Sequence, residues 1–273
     1  MELKFWGVRG TCPIWGKSAS RIGGHTPCVS ITSKRGDLVV IDAGTGIRNL
    51  GASLKAAKSG RDLRCSIFLT HFHLDHIGGL PFFEPLFSPE ARVTFFSACE
   101  PAETRKRLSR LMGRPYFPVA LDETPSKKAF RKIGRDGVRI GGLRVSACPV
   151  RHPQGAVAYR IAERRSSFVY ATDGEPAGPD GFDPRLVKFA AGADALVYDA
   201  MFTPEEYEAG KSGWGHGTWI DAVRTATSAG VGTLLLTHFN PDHSDRDLAL
   251  VERKARKSFP DASCAYEGLR LRF

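Results

Sequence analysis

Thr70-His71-Phe72-His73-Leu74-Asp75-His76 follows directly on the apolar run Ile67-Phe68-Leu69, and this junction decides how the chain is read. His71, His73, Asp75 and His76 are strong metal ligands crowded into one short stretch. A strand that runs into a His/Asp-rich turn fixes the backbone while successive side chains alternate in direction. His71 and His73, two apart, can face one ion, and Asp75 and His76 can turn toward a second position. A solvated polar strand end is the plainer alternative.

Outward from this stretch the pattern is strand, loop and helix. Cys65–Leu69 reads as the buried strand that feeds the motif, and Gly78-Gly79-Leu80-Pro81 lets backbone pass close to whatever the motif holds. Upstream, Leu3–Trp6 is a first strand, followed by a Gly/Pro-dense loop from Gly7 to Pro27 that is too long for a simple turn. Cys28–Thr32 and Leu38–Ile41 flank the hairpin signal Lys34-Arg35-Gly36-Asp37. A helix is expected from about Ile47 to Lys58, with Ile47, Leu50, Leu54 and Ala57 on one face. Downstream come strand Val93–Phe96, a basic helix Ala102–Met112 and an ordered loop or lid at Gly113–Pro118. Strands then follow at Val138–Ile140, Leu143–Val150, Ala156–Ala162, Phe168–Ala171, Ala195–Tyr198 and Thr233–Leu236. Helices are expected at Pro184–Ala190, Trp219–Ala229 and Asp245–Ser258. Strands dominate both halves, which predicts an α/β fold of two mixed sheets face to face with helices outside. The expected organisation is one domain over 1–273 with a basic insert at about 101–137.

An internal echo supports two similar halves. Thr237-His238-Phe239-Asn240-Pro241-Asp242-His243 repeats the opening stretch at five of seven positions, again after an apolar strand. Ile41-Asp42-Ala43 is likewise echoed by Tyr198-Asp199-Ala200. The turns of both halves are then expected to meet at one edge.

Composition is that of an ordinary globule, 42% hydrophobic and 25% charged, with no apolar tract long enough to span a bilayer. The N-terminus lacks the apolar core and cleavage site of a signal peptide, so a cytoplasmic protein with no membrane partner is expected. The six cysteines are scattered without a CxxC pair, mostly inside apolar runs, as reduced buried thiols would be. Net charge is +10, and residues 103–139 hold eleven Lys/Arg against four acids. That segment reads either as a solvated arm or as a field that draws in phosphate-bearing substrate.

Further candidate ligands stand at strand ends or in loops: His152 after Val145–Val150, Asp173 after Phe168–Tyr170, and His238 after Leu234–Leu236. His216 lies in Gly213-Trp214-Gly215-His216-Gly217-Thr218. With these, the chain resembles the metallo-β-lactamase-fold hydrolases over nearly its whole length. The resemblance implies an αββα sandwich with two metals at one edge of the sheets. It implies that His71, His73 and His152 hold the first metal and Asp75, His76 and His238 the second, with Asp173 bridging. Asp42 resembles the family's early strand-end Asp, which organises ligand hydrogen bonds.

His216-x-Thr218, Ala171-Thr172-Asp173 and the Gly-Trp-Gly-His run resemble the phosphodiesterase branch, which includes ribonuclease Z and the cyclic phosphodiesterases. Two departures stand out. The long Gly/Pro-rich arm by which ribonuclease Z grips tRNA is not recognisable. Gly23-Gly24-His25-Thr26-Pro27 has His25 where relatives commonly have Asn, and His25 reads as a loop anchor or a substrate contact.

The chemistry implied is hydrolysis of a small cyclic nucleotide or cyclic phosphate ester by in-line attack of metal-activated water. Asp75 or Asp173 would orient that water, and His216 would be the general acid for the leaving alkoxide. Asp242 and His243 read as supports of ligands or as helix caps. Mixed N/O ligands suit Zn or Mn, with Fe a third choice. The alternatives are a ribonuclease Z-like endoribonuclease, a lactone or carboxyl-ester hydrolase, and a non-catalytic nucleic-acid-binding module. The partners expected are a small phosphate ester, with RNA as second candidate and a homodimer as candidate assembly.

Overall fold

The computed structural model describes residues 1–57, 63–176 and 182–273. The first half of the chain runs β1 (Glu2–Gly7), β2 (Cys28–Thr32), β3 (Leu38–Ile41), α1 (Ile47–Ala57), β4 (Arg64–Phe68), α2 (Leu74–Ile77), β5 (Arg92–Ser97), α3 (Pro101–Leu111) and β6 (Lys127–Lys132). The second runs β7 (Val138–Ile140), β8 (Leu143–Val150), β9 (Ala156–Glu163), β10 (Ser166–Ala171), α4 (Pro184–Ala190), β11 (Ala195–Asp199), α5 (Pro204–Glu206), α6 (Trp219–Ala229), β12 (Thr233–Thr237), α7 (Asp245–Ser258), β13 (Ala262–Cys264) and β14 (Arg270–Arg272). Lys58, the expected end of the first helix, lies outside the described residues.

Two mixed seven-stranded sheets result, in the orders β14-β1-β2-β3-β4-β5-β6 and β13-β12-β11-β10-β9-β8-β7. Each has the same grammar. Antiparallel pairings lead from β14 to β3 and from β7 to β10, and parallel pairings continue to β6 and to β13. The heptapeptide echo does not follow that grammar strand for strand. Its first copy leaves β4, next to β3, whereas its second leaves β12, one strand further from β10.

The inner strands of the parallel sets carry apolar runs because both faces are covered. All of Leu38–Ile41 is buried. Val39, Ile41, Phe68 and Phe96 face the second sheet, meeting Val145, Tyr159, Ile161 and Phe168. Val40, Ile67 and Phe95 face outward, under Ile47 and Leu50 of α1 and Leu108 of α3. Phe68 stacks on Phe96 at 4.4 Å and meets Tyr159 of the opposite sheet edge-on at 5.5 Å. The Tyr159 hydroxyl donates to the Leu69 carbonyl at 2.6 Å, tying the second sheet to the strand that carries the His motif. Phe68→Ala should therefore destabilise the protein by about 3–5 kcal/mol. Urea unfolding measures this, and a loss below about 1 kcal/mol would mean that this contact does not hold the sheets together.

Three strands escape the sequence reading. β6 is the basic run Lys127–Lys132 at a sheet edge, where lysines discourage further pairing. β13 and β14 have three residues each, and β14 is Arg-Leu-Arg. β14 brings the chain ends together, with the Met1 ammonium donating to the Phe273 carbonyl at 3.0 Å. Among the described residues no helix is long and apolar enough to cross a membrane.

Candidate metal centre

The C-terminal ends of the parallel strands open on one edge of the sandwich, and most of the predicted ligands leave from there. Asp42 follows β3, His71–His76 follow β4, Asp173 follows β10, Asp199 ends β11 and His238 follows β12. Three of these, Asp42, Asp173 and His238, have φ of 61°, 57° and 59°, a left-handed turn that side chains rarely adopt. Each stands within two residues of its strand's end, where the left-handed conformation turns the chain out of the sheet. The turn expected at Leu74–His76 closes as a single helical turn, α2, with His73 at its N-terminal boundary.

All seven predicted metal ligands come together, in two groups. His73 Nδ1 lies 3.2 Å from His152 Nε2, and His71 completes that group. His76 Nε2 lies 3.0 Å from His238 Nε2, and Asp75 Oδ2 is 3.4 and 3.3 Å from the same two nitrogens. Asp173 stands between. Its Oδ1 is 3.7 Å from His71 Nε2 and 3.9 Å from His152 Nε2. Its Oδ2 is 3.1 Å from His76 Nε2 and 3.4 Å from His238 Nε2.

The outward nitrogens of the rings fix which nitrogen is free. His76 Nδ1 donates to Asp42 Oδ2 at 2.8 Å, and His152 Nδ1 to the Gly215 carbonyl at 2.9 Å. His73 Nε2 donates to Gln154 Oε1. Thr70 Oγ1 gives its proton to the Asp42 carboxylate at 3.0 Å, which leaves it to accept from His71 Nδ1, also at 3.0 Å. Hence His71 Nε2, His73 Nδ1, His76 Nε2 and His152 Nε2 turn lone pairs inward. His71 Nε2 and Asp173 Oδ2 are buried without a hydrogen-bond partner.

Charge tells the same story. Asp42, Asp75, Asp173 and Asp199 surround the rings, and buried charges persist only when paired. Burial pushes Asp42 up despite His76 beside it. Burial also opposes ionisation of Asp173, but His238, His76 and His71 hold it well below the carboxylate range. His76 shows the converse: burial disfavours its charge, yet Asp173, Asp75 and Asp42 push it well above the usual value. His71, buried and facing His76, falls to about 2. The chain thus gathers anionic oxygens around ring nitrogens, and at His76 those oxygens hold a proton where a cation would otherwise sit, so the donor set fits two divalent cations.

His216 stands against both groups, its ring 5.4 Å from His152 and 5.2 Å from His238. Its Nδ1 donates to Asp199 Oδ2 at 2.9 Å. Burial works against charging this ring, but Asp199, with Asp173 and Asp75 behind it, outweighs that and pushes it up to about 9. Asp173, Asp199, His216 and His238 also form a compact set of ligand atoms. The loop before His216 is held by Glu175, whose carboxylate accepts from Tyr207 Oη and Gly213 N–H, both at 2.6 Å, and from Gly215 N–H at 3.3 Å. A Cβ on Gly215 would lie 2.3 Å from His152 Nδ1, so only glycine lets this loop reach the ring. After His216, Thr218 caps α6 and fixes where the loop ends.

Asp199 is the main residue that sequence reasoning missed, although its echo of Asp42 was visible. Its Oδ2 also accepts from Asp173 N–H at 2.9 Å, so one carboxylate sets both Asp173 and His216. The Gly7–Pro27 loop contributes through its backbone. Thr11 N–H donates to Asp75 Oδ2 at 2.8 Å, and a Cβ on Gly10 would lie 2.6 Å from the His238 ring. Buried Arg9 anchors that loop, donating to the carbonyls of Gly23, Asn240 and His243.

The readings of Asp242 and His243 are corrected, and His25 takes the first of its two readings. His243 pairs with Glu206 at 2.9 Å, and Asp242 closes a local turn, its N–H donating to Asn240 Oδ1. Among the described residues neither bonds to the ligands, and α7 is capped by Ser244, whose side chain accepts from Asp247 N–H. His25 is a loop anchor: its carbonyl accepts from Val8 and Arg9, and its ring faces Thr45 Oγ1 at 3.2 Å.

Residues 38–239 match a family described as the beta-lactamase superfamily domain. A curated relative named ribonuclease Z, from Lacticaseibacillus casei (strain BL23), is 26% identical over 96% of this chain and 92% of its own length. Among solved structures, the metallo-beta-lactamase fold protein YhfI from Bacillus subtilis superposes with a TM-score of 0.72, at 19% identity and 99% coverage of each chain. A diphosphatase from the PhnP family gives a TM-score of 0.69, at 19% identity, covering 100% of this chain and 97% of its own.

Proposed function

The chain belongs to the beta-lactamase superfamily and is a metal-dependent hydrolase, and from that premise we propose that it is a phosphodiesterase of the cytoplasm acting on a small cyclic nucleotide or related cyclic phosphate ester. In this reading His71, His73 and His152 would hold one divalent ion and Asp75, His76 and His238 a second, and Asp173, which faces both groups, would serve either. Zn or Mn suits these N/O donors best, with Fe third. The fold is read as one domain over 1–273, with about 101–137 as a basic insert.

When bound, the two ions supply an activated water and neutralise charge that builds on the phosphoryl oxygens. The rest falls to the chain. Asp75, steadied by Thr11 N–H, orients the attacking water. Asp42 and Asp199 hold the ring N–H of His76 and of His216. His216 gives its Nε2 proton to the leaving alkoxide, and Asp199 stabilises the charged ring that makes this possible at neutral pH. That His216–Asp199 pair, standing against both ligand groups, is the observation that carries the proposal.

Cleavage of RNA is the second reading, favoured by the relative named ribonuclease Z, which matches nearly the whole chain. The test is a panel assay of purified protein loaded with Zn or Mn. It spans 3′,5′-cyclic nucleotides, other cyclic phosphate esters, a tRNA precursor and an acyl-lactone. Turnover of a cyclic ester is the expected result. Cleavage of the tRNA precursor alone would exchange the two readings, and no turnover by metal-loaded protein would end both.

A further inference from the structure

A cavity of about 440 Å³ opens directly beside His71 and His73. That volume holds one nucleoside-sized group and excludes a duplex. Phe72, Ala98, Pro149 and Val157 give it apolar walls. The strongest donors at its rim are two. Arg107 of α3 lies on the Phe72 ring, its guanidinium carbon 4.8 Å from the centroid. Its Nε donates to Glu103 at 2.8 Å, and its Nη groups have no hydrogen-bond partner among the described residues. Gln154 accepts from His73 through Oε1, which leaves its amide nitrogen similarly unpaired among the described residues.

Apolar walls, planar donors and a ligand cage at one side are the makings of a base pocket. A sugar or a short alkyl group would leave Phe72 and Val157 facing unfilled space. A heteroaromatic ring fills that space beside the Phe72 ring and the Arg107 guanidinium that lies on it, and offers edge acceptors to Arg107 and Gln154. We propose that this cavity takes the nucleobase of the substrate, with its phosphoryl group at the His71/His73 side. The proposal rests on the phosphodiesterase reading only for the fate of the phosphate. Base stacking with its donors is worth roughly tenfold to a hundredfold in affinity.

Calorimetry on the metal-loaded full chain tests the pocket without turnover, using adenosine 5′-monophosphate and ribose 5-phosphate as probes. The nucleotide should bind at least about tenfold tighter. Ala98→Trp fills the cavity from an exposed position just after β5. It should abolish that preference and leave ribose 5-phosphate binding unchanged. Arg107→Ala should reduce the preference in part. Equal binding of the two probes by the unaltered chain, or a preference that survives Ala98→Trp, would overturn the proposal. A short oligoadenylate separates the two sources of such a base. Binding as tight as the mononucleotide, lost in the same variant, assigns the pocket to an RNA strand, and weaker binding assigns it to a free nucleotide. Phosphodiester turnover is scored apart, so that a missing reaction with an intact preference fails the phosphodiesterase reading and not the pocket.

Discussion

On the two-ion reading, Asp173→Asn should bind fewer than two metal ions per chain, and should lose phosphodiester hydrolysis by roughly a thousandfold or more. The expectation follows from how its two oxygens divide. One faces His71 and His152 and the other His76 and His238, at 3.1–3.9 Å. A neutral amide keeps the shape but offers only one acceptor oxygen and no charge, so one group loses its anionic partner entirely. Asn is the right replacement because residue 173 has φ 57°. Asn tolerates that left-handed backbone, whereas Ala would add a strain of roughly 1–2 kcal/mol unrelated to metal. Elemental analysis of dialysed protein reads the metal content directly. A variant that retains two ions and most of its activity would remove Asp173 from the centre.

How much of this centre could be read in the sequence depends on what each residue contributes. His71, His73, Asp75, His76, His152, Asp173 and His238 are legible because each is a distinctive side chain at the end of an apolar strand. Parallel strands bring such ends to one edge whatever their separation in sequence. Asp199 was legible only as an echo of Asp42. Its work depends on the Gly213–His216 loop folding back over β11, which no local pattern encodes. Thr11 acts through its N–H and Gly10 through a missing side chain, so neither leaves a signature. Arg107 looked like one charge among many in a basic segment. Several of its neighbours are bound locally, Arg105 to Asp122 at 2.9 Å and Lys128 to the Thr124 carbonyl at 2.6 Å. What distinguishes Arg107 is the Phe72 ring beneath it, a residue of the motif itself. In the fold, β6 and β14 were hidden by composition. A sheet edge needs only one buried face and favours charge, so Lys127–Lys132 and Arg270–Arg272 read as surface.

For His216→Ala the loss should depend on the leaving group. A cyclic nucleotide expels an alkoxide, which departs slowly unless protonated, so kcat should fall by about 10²–10⁴. Bis(p-nitrophenyl) phosphate expels a stable phenolate, and its hydrolysis should fall less than about tenfold. Metal content should not change. This split separates an acid from a ligand at a ring that shares a compact cluster of ligand atoms with Asp173, Asp199 and His238. Equal losses on both substrates, with less metal bound, would make His216 a ligand. The pH profile gives an independent check with a definite sign. An acid works only while protonated, so activity on the cyclic ester should fall as pH rises through the His216 pKa. Without cations beside it that value is about 9, and two bound cations lower it, placing the alkaline limb at or below pH 9. Asp199→Asn removes the charge that raises the ring, so the limb should move to lower pH while the phenolate substrate keeps its original profile. An alkaline limb that stays put in Asp199→Asn would break the link between this pair and proton transfer.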